Sequence, residues 1–446
     1  MSGIKSSIKN LFESEFYRSI VTLFSGMFIA RIVPAFFALI IARIYEPADF
    51  GLFVLYLTIA SVLSIVTTGK YENAILLVDS QEEKRQIFRI SQKINTTING
   101  LVLTGIIISI FIFNIYETKN ILLLLLTPFY AFFFSTIQLI RNIYISKKQF
   151  KNISVLEISR AVFIGLLQSL FFIFPEFGLF LGAVLAQGFI FIYYTWKVPE
   201  ALFFNISRLS FAEIKLAKRY INFPKYSILS EGFNFISSQL PVFLIKPFFG
   251  NTMLGLYSFS HRYISVPVQL LSKSISSVYL QKSQALKDNI DELSELTFSL
   301  YKKQIVLGVL PFAVLGLWGA EIFAFVFGAE WEFSGHLAQI ISPWLFAVMI
   351  GSPLSAILVV REKQKVSMIY NIALLAVRAI SLVIGGLIYK DVTVAIALYS
   401  FTGFIFFVGL IGYSLWLAGV NLRKAAVYAL KAILIIIPLI FIKIWL

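Results

Sequence analysis

Long apolar runs recur through this chain at nearly even intervals, and the stretches between them are short and charged. A run of about twenty apolar residues crosses the bilayer core as a helix. In lipid, only helices and closed barrels satisfy every backbone amide internally. Runs of this length predict helices, so the chain is expected to be an all-α polytopic membrane protein. Composition agrees. Hydrophobic residues make up 59% and charged residues 14%, against about half and about a quarter in soluble domains.

Spans are predicted near Ser19–Arg43, Phe50–Val78, Ile94–Tyr116, Ile121–Ile145, Ser154–Phe174 and Gly178–Trp196. After a polar connector, a second set follows near Tyr220–Phe249, Met253–Leu280, Ser299–Phe327, His336–Val359, Val366–Tyr389 and Val392–Leu417. That makes about twelve transmembrane helices in two halves. The expected divisions are an N-terminal six-helix bundle over 1–196, a cytoplasmic connector over 197–219, a C-terminal bundle over 220–417 and an apolar tail over 418–446. The tail either lies in the interface or forms a thirteenth span, with Lys443 snorkelling to the surface. The polar first eighteen residues lack the order of a signal peptide, so the first helix is expected to be retained.

Loop charge sets the orientation. Alternate loops carry Lys84, Arg85, Arg89 and Lys93, then Lys147, Lys148 and Lys151, then Lys197, Arg208, Lys215, Lys218 and Arg219, then Lys282 and Lys287, Arg361, Lys363 and Lys365, and Arg423 with Lys424. The intervening turns carry Glu46 and Asp49, Glu117 and Lys119, Glu176, Glu330 and Glu332, and Lys390 with Asp391. Positive loops stay inside, which places the N-terminus in the cytoplasm. The net charge of +15 is therefore topological and does not indicate nucleic-acid binding. The sequence holds no cysteine, which excludes thiol chemistry and Cys-ligated metal. No phosphate loop, paired-carboxylate cluster or metal spacing is present, so no catalytic residue, metal or cofactor is expected. No outer loop is long enough to hold an enzyme domain, and any site must lie among the helices.

Ionisable groups within spans are costly and usually functional. Arg31 lies about twelve residues, roughly 18 Å, into the first helix. Arg378 is at similar depth in the eleventh, His261 and Arg262 lie in the eighth, and Lys70 with Glu72 lies near the inner end of the second. Arg31, Lys70, Arg262 and Arg378 are the candidate substrate-binding residues. A cavity lined by them would attract an anion, and phosphate suits the forked donors of arginine. The alternative for each is structural pairing, and for Lys70 the partner would be Glu72. Glu231 is either a protonatable coupling site or an ion-pair partner, and His261 is a second candidate for coupling. Arg160 and Glu157, three apart on a helix, are expected to pair with each other. Helix amides such as Asn95, Gln168 and Gln187 are read first as interhelical hydrogen-bonding groups. Prolines within spans, among them Pro34, Pro128, Pro267 and Pro343, permit bends.

The Phe50-Gly51-Leu52-Phe53 step returns as Leu254-Gly255-Leu256-Tyr257, an echo consistent with two copies of one unit. A wider set of motifs runs in order through nearly the whole chain: Tyr45–Gly51, Gly69–Ile75, Phe223–Ser227, Gln239–Phe243, Phe248–Gly250, Gly255–Ser258, Pro267, Glu330–Trp331, Pro343–Trp344 and Ser352–Ser355. In these the chain resembles the bacterial Wzx-type polysaccharide flippases of the multidrug/oligosaccharidyl-lipid/polysaccharide exporter superfamily. The resemblance implies two six-helix bundles flanking a central cavity in the bacterial inner membrane. It also implies an undecaprenyl-diphosphate-linked oligosaccharide as substrate, moved from the cytoplasmic to the periplasmic leaflet for O-antigen, capsule or exopolysaccharide assembly. Polymerase and chain-length proteins of the same pathway would be partners. The rivals are a cation-coupled drug antiporter of the same superfamily, which would need free acidic groups in its first bundle, and a membrane polymerase or ligase, which would need a sizeable outer loop.

Overall fold

The computed structural model describes residues 15–78, 80–113, 118–198, 209–434 and 436–445. The first fourteen residues and the connector over 199–208 lie outside that range. Two compact units divide the chain, Met1–Gln239 and Leu240–Leu446.

The first unit contains α1 (Glu15–Ile44), α2 (Pro47–Thr67), α3 (Gln81–Phe113), α4 (Thr118–Ser146), α5 (Phe150–Leu170), α6 (Pro175–Lys197), α7 (Phe211–Arg219) and α8 (Ile228–Ser238). The acid-proline turn starts α2 as the sequence dictates. Pro47 takes the first helical position, where its missing N–H costs nothing, and Glu46 and Asp49 form a capping box. α1 packs along α5, while α4 packs against α2, α3 and α6. At one end of the unit Ile87, Phe88, Ile137, Ile140 and Tyr194 form a closed apolar core. Between the helices the buried groups include amides and hydroxyls. Asn95 Nδ2 donates to the Phe132 carbonyl and to Thr136 Oγ1, both at 3.1 Å. Gln168 Nε2 donates to the Leu179 carbonyl at 2.9 Å. Phe111, Ile192 and Trp196 are left exposed. Lipid is as apolar as these side chains, so hydrogen bonds and close packing, rather than burial of oil, associate the helices.

α7 is held at its N-terminal end. Ser210 and Glu213 form a capping box, and the Glu213 carboxylate also meets Lys93 at 3.4 Å and Arg89 at 4.0 Å on α3. This anchors part of the polar connector beside the basic, solvent-side extension of α3.

The second unit contains α9 (Leu240–Ala285), α10 (Ile290–Phe327), α11 (Glu332–Leu354), α12 (Gln364–Ile384), α13 (Val392–Leu417), α14 (Leu422–Ile433) and α15 (Ile436–Trp445). Gly250 is non-helical inside α9 and separates the seventh predicted span from the eighth. α11 packs against α9, α10 and α13. Trp331, just before α11, is fully buried and stacks on Phe259 at 3.9 Å. Ser334 Oγ donates to the Leu256 carbonyl at 2.9 Å, and Gln304 Nε2 to the Met349 carbonyl at 3.0 Å. Where α10 crosses α11 the backbones nearly touch. A Cβ on Gly335 would lie 2.2 Å from the Gly319 carbonyl oxygen. α10 is itself interrupted at Trp318, whose backbone departs from helical angles. Lys443 of α15 pairs with Glu321 just beyond that interruption and lies 6.0 Å from the Trp318 ring centroid.

Ten helices among the described residues are long and apolar enough to cross a membrane, including Leu422–Lys443 of the tail. The bent pair Phe223–Ser238 and Leu240–Ala285 makes eleven. The 30-residue α1 corresponds to the first predicted span. The protein is thus an all-helical, multi-pass membrane protein.

Candidate functional site

In the first unit, the second predicted span does not run to Val78. α2 ends at Thr67, because Gly69 (φ 63°) and Lys70 (φ 59°) take consecutive left-handed conformations that no helix continues. The apolar residues that follow form a short 3-10 helix, Tyr71–Leu76. Lys70 therefore sits in a turn and not within the helix. Its Nζ lies 2.6 Å from Glu231 Oε2 on α8 and 3.5 Å from Glu72 Oε1. The Glu72 carboxylate also accepts from the Thr68 hydroxyl, and its backbone carbonyl accepts from Asn142 Nδ2 at 2.9 Å. Lys70 and Glu72 are largely buried, whereas the Glu231 side chain is 47% exposed. One cation held by two carboxylates is already neutralised, so at Lys70 the geometry is that of ion pairing. Glu231 likewise has a partner.

A second charged cluster in this unit centres on Glu157, which meets Arg160 at 3.0 Å and Arg141 at 3.3 Å. Arg160 also donates to Gln187 at 3.3 Å and lies over the Phe134 ring. The expected pair is present, and Arg141 joins it. Arg31 is exposed on α1 and has no ion pair among the described residues.

The second unit has a different arrangement. Arg378 of α12 lies with its guanidinium carbon 4.3 Å from the Trp344 ring centroid on α11 and 4.9 Å from that of Tyr399 on α13. Its Nε and Nη2 are buried without a hydrogen-bond partner in the protein, and so is Trp344 Nε1. The Trp344 and Tyr399 rings meet edge to face at 5.3 Å. His261 of α9 stacks on Tyr257 at 5.7 Å and on Trp344 at 5.9 Å. Three helices around α11 thus build an aromatic enclosure holding one arginine and one histidine. No carboxylate pairs with that arginine among the described residues. Such a guanidinium retains unused, directed donors. The arrangement can receive an oxyanion. Arg262, next to His261, is half-buried and has no ion pair among the described residues.

The sequence therefore locates Arg378 and His261, which the fold brings to one aromatic wall, but not the wall itself. With 46 Phe and 20 Tyr, aromatics carry little signal. Trp344 is the legible one, since the chain has only six Trp and this one follows a proline inside a span.

Many helices long enough to cross a membrane, with polar groups tied between them, define a multi-pass membrane protein. The sequence profile of the polysaccharide biosynthesis protein family matches residues 40–335, and the chain belongs to that family. No curated protein matches the sequence significantly. Among solved structures the chain is similar to "Lipid II flippase MurJ, inward closed conformation", with a TM-score of 0.69 and 15% identity over 94% of this chain and 92% of that one. A MOP superfamily transporter from Pyrococcus furiosus follows, with a TM-score of 0.58 and 12% identity over 94% of this chain and 98% of that one. An inward-facing multidrug resistance MATE family transporter of the MOP superfamily also has a TM-score of 0.58, with 14% identity over 92% and 98%. At these identities the likeness is one of fold, and the fold is that of the MOP superfamily transporters.

Proposed function

We propose that the protein is a flippase. It carries undecaprenyl-diphosphate-linked oligosaccharide repeat units from the cytoplasmic to the periplasmic leaflet of a bacterial inner membrane, with its N-terminus in the cytoplasm. It works by alternating access, and the product feeds the polymerase and chain-length proteins of a surface-glycan pathway. The observation that carries this is Arg378, whose Nε and Nη2 are buried without a hydrogen-bond partner and which has no carboxylate partner among the described residues, in a chain of the polysaccharide biosynthesis family. A diphosphate offers the planar oxygen pairs that guanidinium binds best. Arg31 and Arg262, also without ion pairs among the described residues, add positive potential for the anionic headgroup. The likeness to a structure named as a lipid II flippase supports a lipid-linked substrate.

The drug/cation antiporter fits less well. The acids within the first unit's helices that could take a cation are already engaged, Glu72 by Lys70 and Glu157 by two arginines. Glu231 and His261 are the candidates for coupling to a proton gradient. The test is complementation of a strain lacking the gene. Arg378→Ala, Arg262→Ala and Arg31→Ala should each reduce surface glycan at unchanged protein level, with lipid-linked repeat units accumulating on the cytoplasmic side. Normal glycan in all three would remove the cationic mechanism.

A further inference from the structure

A second concentration of unpaired cations lies away from Arg378, at the opening of the tail. Between α10 and α14 is a cavity of about 590 Å³ whose walls include Phe298 and Lys302 from α10, and Arg423, Lys424, Tyr428 and Lys431 from α14. Four cations face one space, and no acid lines it. None of the four has an ion pair among the described residues. Among the described residues their internal compensation is Lys302 Nζ, 4.8 Å from the Phe298 ring centroid. The nearest acids preceding Phe298 on α10, Glu292 and Glu295, are exposed and lie outside the cavity wall. Four like charges held together repel one another, so the arrangement favours an anion.

Its depth identifies the kind of anion. Lys302 and its neighbour Lys303 are the last charges before the uninterrupted apolar stretch of α10, and Lys431 is the last before that of the tail. The cavity therefore opens where both helices pass from the polar interface into hydrocarbon, at the level of lipid phosphates. Beyond it, Val306 and Leu310 of α10 and Leu434 and Ile437 of the tail leave their apolar side chains exposed. A ligand with a phosphate at the cavity and acyl chains along those side chains satisfies both halves of the surface, whereas free phosphate satisfies only one. Basic pockets between helices on the cytoplasmic side are suited to such headgroups. We propose that this cavity binds the phosphate headgroup of an anionic phospholipid from the leaflet that the loop charges assign to the cytoplasm. The site is independent of the flippase substrate, whichever molecule Arg378 receives.

The test uses the full chain, purified and returned to phosphatidylglycerol, with retained lipid counted by native mass spectrometry and affinity read by titration. Lys302→Gln/Arg423→Gln/Lys424→Gln/Lys431→Gln should bind phosphatidylglycerol at least about tenfold more weakly than the parent. A charge-matched control, Lys147→Gln/Lys148→Gln/Lys363→Gln/Lys365→Gln, should bind it as the parent does. Phosphatidylcholine should not be retained, and inorganic phosphate should not displace the lipid. Should the fourfold variant misfold, Arg423→Gln/Lys424→Gln, confined to the exposed first turn of α14, should still weaken binding several-fold. Undiminished binding by the folded cavity variants would overturn the proposal. So would equal loss in the control, or displacement by inorganic phosphate alone.

Discussion

Lys70 Nζ stands 2.6 Å from Glu231 Oε2, although the two residues are far apart in sequence and Glu72 already lies within ion-pair distance of the same nitrogen. The turn at Gly69 and Lys70 makes this possible by ending α2 early and freeing the lysine to reach α8. The consequence for function is a division of labour among the cations. Lys70 stabilises, while Arg378 keeps its donors unused.

Removing Lys70 should therefore damage stability before it damages substrate handling. Lys70→Met leaves Glu72 buried without its cation, at a cost of about 1–3 kcal/mol. Lys70→Met/Glu72→Gln should recover part of that loss. Thermal unfolding in detergent measures both, and a single variant as stable as the parent would contradict the pairing.

At Arg378 the expectation is reversed. Trp344→Leu and Tyr399→Leu each remove a cation–π contact of about 0.5–2 kcal/mol, or roughly two- to thirtyfold in apparent affinity, with the fold retained. Arg378→Lys keeps the charge but loses the planar fork. Surface glycan in the complemented strain should fall for Arg378→Lys nearly as far as for Arg378→Ala. Full activity in Arg378→Lys would show that charge alone suffices.

The crossing of α10 and α11 admits no side chain. Gly335→Leu should destabilise by more than the about 1–3 kcal/mol typical of overpacking, because the obstructing atom is backbone. Gly100, where an added Cβ would meet nothing within 4 Å, offers the contrast. Gly100→Ala should leave the melting temperature unchanged or slightly raised.

Glu213 fastens α7 to α3 through Arg89 and Lys93 while capping α7 itself. Glu213→Gln should loosen the segment from Leu209 to Tyr220 without unfolding the membrane helices. Limited trypsin digestion should then cut at Lys215 or Lys218 sooner than in the parent, at an unchanged melting temperature.

Most of the span pattern is legible in hydropathy, and α13 coincides with its predicted limits, Val392–Leu417. The errors have physical causes. α3 begins at Gln81, well before the predicted Ile94, because a helix can continue into water on charged residues that hydropathy scores as loop. Hydropathy carries the second span through to Val78 because Ala74 to Val78 are apolar, yet two left-handed residues have already ended the helix. Apolarity marks what avoids water, not how the backbone turns. At the sites, charge within a span exposes Arg378, His261 and Lys70. Their partners cannot be found this way, since Glu231 and Trp344 approach through tertiary packing and leave no local spacing.

The short tail helix has a mechanical role beyond adding apolar length. α10 is fractured at Trp318, and Lys443 reaches across to Glu321 on the far side of that fracture while its charge rests near the Trp318 ring. The tail helix is thus tethered to the part of α10 that follows the break by charge as well as by apolar packing.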